Sequence, residues 1–168
     1  MTRHVFDFVR CVGLTVAMTA PDLSGLVLPT VFPPAGTYRS AVVHEGVLHT
    51  AGHIPLGADG TLVLGRLGDD LTVEDGRRAA RLAALSLLAT VREELGSLDR
   101  VDRFLRVYGV VSATADFTDH TTVIDAASDI FVHVFGERGE HARLAVGVSS
   151  LPIGLALEIE ATIAVRPR

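Results

Sequence analysis

Between residues 38 and 165 the spacing of apolar positions switches repeatedly between two and about 3.6, the periods of strand and helix. Alternating runs over residues 38–43 and 47–52 flank His44-Glu45-Gly46 and predict a hairpin turning at Gly46. The glycine-rich stretch that follows predicts a turn at Asp59-Gly60 and a short strand over residues 62–64. Thr72 with Asp75 three residues on resembles a capping box, with Asp in place of the usual Glu or Gln. The helix it opens should run to about Leu95 and stop at Gly96. Its apolar stripe is Ala80, Ala83, Ala84, Leu87, Leu88, Val91 and Leu95, with Arg77, Arg78, Arg81, Arg92, Glu93 and Glu94 turned outward. Those arginines fit a solvated face better than a partner patch. A strand over residues 101–112 sets Leu105, Val107 and Val111 opposite Phe104, Arg106, Tyr108 and Val110. A second helix opens at Asp116 or Thr118, buries Ile124, Ala127, Ile130, Phe131 and Val134, and ends at Gly136.

Two more strands close the chain. Over residues 143–149, Leu144, Val146 and Val148 alternate with Arg143, Ala145, Gly147 and Ser149, and the apolar set is expected in the core. The other set leaves a guanidinium beside residues too small to fill space, a hollow suited to a small acid held through two parallel hydrogen bonds. Over residues 155–165 the alternation places Glu158 and Glu160 on one face, where one carboxylate can neighbour Arg143 and polarise a water. The plainer reading of the same residues is a solvated face with modest ion pairs. The elements sum to an α+β sandwich with both helices on one sheet face. The opposite face, carrying Tyr108, Val110 and the small residues of the Arg143 strand, has nothing left to cover it, which predicts a homo-oligomer.

The chain of 168 residues suits one domain, and no apolar run is long or charge-free enough to span a membrane. A net charge of −5 argues against nucleic acid. No lysine occurs, so lysine Schiff-base chemistry and a P-loop are excluded. The single Cys11 excludes an internal disulfide and a multi-cysteine metal site, and fits a reducing, cytoplasmic setting. No G-x-G-x-x-G precedes a helix, and Ser149-Ser150 sits in no G-x-S-x-G elbow. His44, His49 and His53 read as nearby surface histidines rather than a metal site, whereas His141 can line a cleft and titrate near neutrality. Residues 1–34 differ from the rest. Arg10 interrupts their apolar run and no clear cleavage site follows, so they read as an N-terminal extension, with Met18 an alternative start, ahead of a domain over residues 35–168.

The segments TYRSAVVHEGVLHTAGHIP, LDRVDRFLRVYGVVSATADFTD and HARLAVGVSSLPIGLALEIEA, in this order, resemble the YjgF/RidA (Rid) family over about residues 38–165. The closing ARxxVxVxxLPxxxxxEIEA pattern is the most specific part. The resemblance implies a chorismate-mutase-like α+β fold, assembled as a homotrimer around a central barrel with ligand clefts between subunits. It also implies hydrolysis of 2-imino acids to 2-keto acids and ammonia, which calls for no cofactor because a protonated imine is already electrophilic. The histidine spacing, charge and hydropathy above lead to no expected metal, nucleic acid or membrane partner. Carried over residue by residue, Arg143 would bind the substrate carboxylate and Glu158 would orient the water, while Tyr38 and Asp125 match further site positions. Two departures stand out: Ala51 replaces the family's Ser before Gly52, and Ala145 replaces a frequent Cys. Backbone groups near Gly52 and His53 would then hold ligand atoms in place of the missing hydroxyl. The pattern resembles a divergent branch of the family. Its alternative activity is non-catalytic metabolite binding by the same trimer, and endoribonuclease activity ranks last on charge.

Overall fold

The computed structural model describes residues 20–167. Its elements are β1 (Ala41–His44), β2 (Val47–Thr50), α1 (Val73–Leu95), β3 (Val101–Ser112), α2 (His120–Phe135), β4 (Ala142–Val148) and β5 (Leu157–Val165), the order expected from the sequence. The strands form one mixed sheet in the order β1-β2-β5-β3-β4, in which only β3 and β4 are parallel. That parallel pair needs a crossover, which α2 supplies. The YjgF/RidA-type resemblance required this α+β arrangement of a five-stranded sheet and two helices.

Local chemistry explains where each element begins and ends. Glu45 and Gly46 both take positive φ (47° and 77°), the two-residue turn that matches the twist of a hairpin. At α1 the Thr72 hydroxyl accepts from the Asp75 N–H and the Asp75 carboxylate accepts from the Thr72 N–H, so Asp completes the capping box. Gly96 stops the helix in the left-handed region at φ 80°. The second helix starts at His120, later than the sequence suggested, and the Asp119 side chain makes no cap bond. Residues 62 and 64 make isolated bridges to Leu56 and Leu155 instead of the short strand expected there.

Every residue of the predicted α1 stripe is buried, as are the five named for α2, and the core continues through Phe104, Val107, Val111, Leu157, Ile159 and Ile163 of the sheet. Phe104 stacks on Phe131 with ring centroids 4.5 Å apart, pinning β3 to α2. A Cβ at Gly109 would lie 2.6 Å from the Ile124 side chain, so only glycine lets α2 settle on the sheet there.

Two expected strand faces are corrected. A register irregularity between Phe104 and Arg106 turns Phe104 into the core and leaves Leu105 42% exposed, reversing the alternation predicted for that end of β3. In β4 the alternation is present but its faces are exchanged. Arg143 pairs with the fully buried Val107 and so points to the helix side, whereas Leu144 pairs with Tyr108 on the open side and is 45% exposed. The open sheet face therefore carries Tyr108, Val110, Leu144, Val146, Glu158 and Glu160, not the small residues of β4. Alternation marks the two faces of β4 without saying which one the helices cover, so its apolar set reads as core from the sequence alone.

Residues 20–34 run along the domain, where Leu23, Leu26 and Leu28 pack on the core and the Asp22 N–H donates to the Val134 carbonyl. Readings on residues 1–19, including Cys11 and Met18, lie outside the described residues. Among the described residues no helix is long and apolar enough to cross a membrane.

Candidate functional site

The seven residues singled out in the sequence separate into two groups, because neighbouring positions on a strand face opposite ways. Arg143 points to the helix side of the sheet and Glu158, paired with Val110, points to the open side. Within one chain they do not face one cavity, contrary to the simplest sequence reading.

The first group surrounds a cavity of about 470 Å³ where β1 gives out and residues 30–40 pass over the sheet edge. Tyr38, Ala51, Gly52 and Glu158 line it, and so do three residues that sequence reasoning missed in this role: His53, Ser86 and Thr90. Tyr38 lies before β1, not in it, and is 54% exposed; its hydroxyl accepts from the Ala35 N–H. Phe32, Ile54, Ile153 and Leu155 make the remaining wall largely apolar. The Glu158 carboxylate stands so close to Gly52 that a Cβ there would lie 2.7 Å from Oε2. Half-buried, Glu158 titrates above the ordinary glutamate value because desolvation disfavours its charge.

His53 is not a surface histidine. It is buried on the helix side, with Nδ1 2.9 Å from the Ala51 carbonyl and Nε2 2.9 Å from the Thr90 hydroxyl. A carbonyl only accepts, so Nδ1 carries the proton, and in the neutral ring Nε2 accepts from the Thr90 O–H. Burial lowers the His53 pKa to about 4, with the bond to Ala51 acting the other way. In the unfolded chain the ring titrates near ~6.5, so the unfolded state takes up a proton first as pH falls. Stability is therefore complete above about pH 6.5 and declines toward about pH 4, by about 3 kcal/mol for a pKa of about 4. Urea unfolding of wild type and His53→Gln at several pH values should show that part of the acid slope missing from the variant. Equal slopes would contradict the assignment.

The second group gathers on α2 and β4. Arg143 Nη2 lies 2.7 Å from Asp125 Oδ1, and Nη1 donates to Ser128 Oγ at 2.9 Å. The Ser128 hydroxyl reaches His141 Nε2 at 3.0 Å, and His141 Nδ1 donates to the Gly139 carbonyl at 2.6 Å. This chain of bonds holds the guanidinium in place at the edge of β4. His141 titrates below the ordinary histidine value, chiefly because it is partly buried and also because Arg143 is near, so the neutral titration expected of it is shifted to lower pH. Ala145 packs on the core beside Arg143. Ser128 is the residue sequence reasoning missed here; its place one turn after Asp125 on α2 was the available signal.

Among the described residues no three His, Cys, Asp or Glu side chains gather as a metal site. His44 is exposed and paired with Glu45, and His49 meets Thr162 on the open face.

A family model described as "YjgF/chorismate mutase-like, putative endoribonuclease" matches residues 20–159. The chain is 41% identical to protein TCP17 of Trypanosoma cruzi over 140 residues, 83% of this chain and 88% of that protein. Among solved structures it is similar to Atu1372 from Agrobacterium tumefaciens, a protein of unknown function, at 34% identity and a TM-score of 0.76, covering 80% of this chain and 86% of that one. A Shewanella oneidensis protein also described as a "putative endoribonuclease" superposes with a TM-score of 0.81 at 31% identity, covering 84% and 93% of the two chains.

Proposed function

For a chain that belongs to the YjgF/RidA family, with the family model spanning residues 20–159, we propose hydrolysis of 2-imino acids to 2-keto acids and ammonia at clefts between neighbouring subunits of a cytoplasmic homotrimer. The observation that supports this reading is the division of the site. A carboxylate in a largely apolar cavity and a held guanidinium lie on opposite faces of one sheet, so a site using both takes them from two chains. The exposed Leu105 and Leu144 and the half-buried Tyr108 of the open face suit burial against further copies.

At such a cleft the partner chain's guanidinium grips the substrate carboxylate through its planar fork. Its Nη groups are engaged by Asp125 and Ser128, so the incoming carboxylate displaces Asp125 or bonds the N–H groups left over. Glu158 accepts a proton from water as the water oxygen bonds to the C=N carbon, giving a carbinolamine. Glu158 returns the proton to the nitrogen, and as the C–N bond breaks its regenerated carboxylate takes the hydroxyl proton, so the carbonyl forms and ammonia leaves. A raised pKa suits Glu158 to both proton transfers, because an acid–base group works best when its pKa approaches the working pH. A protonated imine is already electrophilic, so no cofactor is invoked.

Imino acids generated by an amino-acid oxidase and followed by semicarbazide trapping test the reaction; the protein should speed their disappearance. A second reading, binding without turnover by the same assembly, draws on Ala51, which gives the cavity a methyl where many relatives carry a hydroxyl. Binding of 2-keto acids with no acceleration would select it. The endoribonuclease reading is disfavoured by the net charge of −5, since holding a polyanion calls for a basic surface.

A further inference from the structure

In the turn that leads into β5, Ile153 stands in the left-handed region, at φ 49° and ψ 16°. For a β-branched residue this is a strained conformation, because its Cβ crowds the following carbonyl oxygen. The turn itself does not call for isoleucine. The Leu151 carbonyl accepts from the Gly154 N–H at 3.2 Å and the Pro152 carbonyl from the Leu155 N–H at 3.1 Å, so two tight turns overlap at Ile153. Ile153 and Gly154 both take positive φ (49° and 79°), a pair of positions that Asn-Gly fills without strain. Core packing does not account for the side chain either, since Ile153 is 73% exposed. It does line the Glu158 cavity. Strain kept where a strain-free residue would serve the backbone points to a use for the side chain.

We infer that Ile153 is a specificity-determining residue, the outer wall of a subsite that selects 2-imino acids with a bulky hydrocarbon side chain. The inference rests on the imino-acid reading for the rest of the ligand. Phe32, itself 56% exposed, and Ile54 and Leu155 complete the subsite. These side chains leave apolar surface on a cavity of about 470 Å³, within the size range of sites that enclose small ligands. A methyl-sized side chain covers little of that surface. A branched or larger hydrocarbon covers Phe32 and Ile153 together and gains by displacing water from both. A charged terminus would lose hydration against the same walls and gain no partner from them.

Isothermal titration with 2-oxo acids, the products of the proposed reaction, tests the subsite. 4-Methyl-2-oxopentanoate is compared with 2-oxopropanoate on wild type, Ile153→Asn and Ile153→Leu. The asparagine variant should bind the branched acid about tenfold more weakly and the small acid within about twofold, and the leucine variant should retain the wild-type preference. Asparagine accepts the left-handed conformation, so the same variant should melt higher than wild type, by about 2–4 °C. Weaker ligand binding by a more stable protein is not what loss of a merely structural residue gives. An unchanged ratio of the two affinities in Ile153→Asn overturns the subsite and leaves the imino-acid reading intact. So does a lower thermal midpoint or a changed assembly mass by light scattering, since Ile153 would then serve packing or a subunit contact. Failure of every 2-oxo acid to bind wild type overturns both readings.

Discussion

Glu158→Gln is expected to slow 2-imino acid hydrolysis by about 10²- to 10⁴-fold while leaving 2-keto acid binding within a few-fold. Glutamine keeps the shape and the polar contacts but accepts no proton. Wild-type activity should fall as pH drops through the raised Glu158 pKa, since the working form is the carboxylate, and the variant's residual rate should lack that limb. Stability moves the other way. Burial raises the folded-state pKa, so the contribution of Glu158 is present below the unfolded value and is lost as pH rises through the folded one. At pH 7 the glutamine variant should therefore unfold at an equal or higher urea midpoint. Wild-type rates in a folded Glu158→Gln protein would remove Glu158 from the reaction.

Arg143→Ala should lower kcat/KM by about 10²- to 10³-fold, mainly through KM, from the loss of two charge-assisted hydrogen bonds to the substrate carboxylate. The substitution also strands Asp125, whose carboxylate now pairs with Arg143 at 2.7 Å and would face an anionic substrate with no cation between them. Arg143→Lys keeps the charge without the fork and should fall between the two. Steady-state kinetics separates these effects, and an unchanged KM in the alanine variant would show that Arg143 does not hold the acid.

Much of the fold was legible because local signals and packing agree. Thr72, Asp75 and Gly96 bound α1 as their chemistry dictates, and the alanine and leucine stripe between them is buried in full. Alternation alone does not say which face of a strand the helices cover. In β4 it marked two faces correctly and misassigned them, because Leu144 and Val146 look like core residues when only one chain is considered. At Phe104 a shift in strand register, set by pairing with a strand some 60 residues later, undid the period-two reading. The site was readable by type but not by arrangement. Arg143, Glu158 and Tyr38 were visible as chemistry, whereas Ser86, Thr90 and Ser128 look like weak helix residues until the cavity and the guanidinium are placed beside them. His53 was hidden for a related reason: only its distant partner Thr90 shows that the ring is buried and bonded.

Subunit complementation tests the central claim most directly. Arg143→Ala and Glu158→Gln chains would be co-expressed at equal levels, and the purified assemblies compared with each parent in the imine-hydrolysis assay. If each cleft takes Arg143 from one chain and Glu158 from its neighbour, random mixing around a ring restores both residues at about a quarter of the clefts, and activity should rise to about that fraction of wild type. Activity no higher than that of the two parents would contradict a site shared between chains.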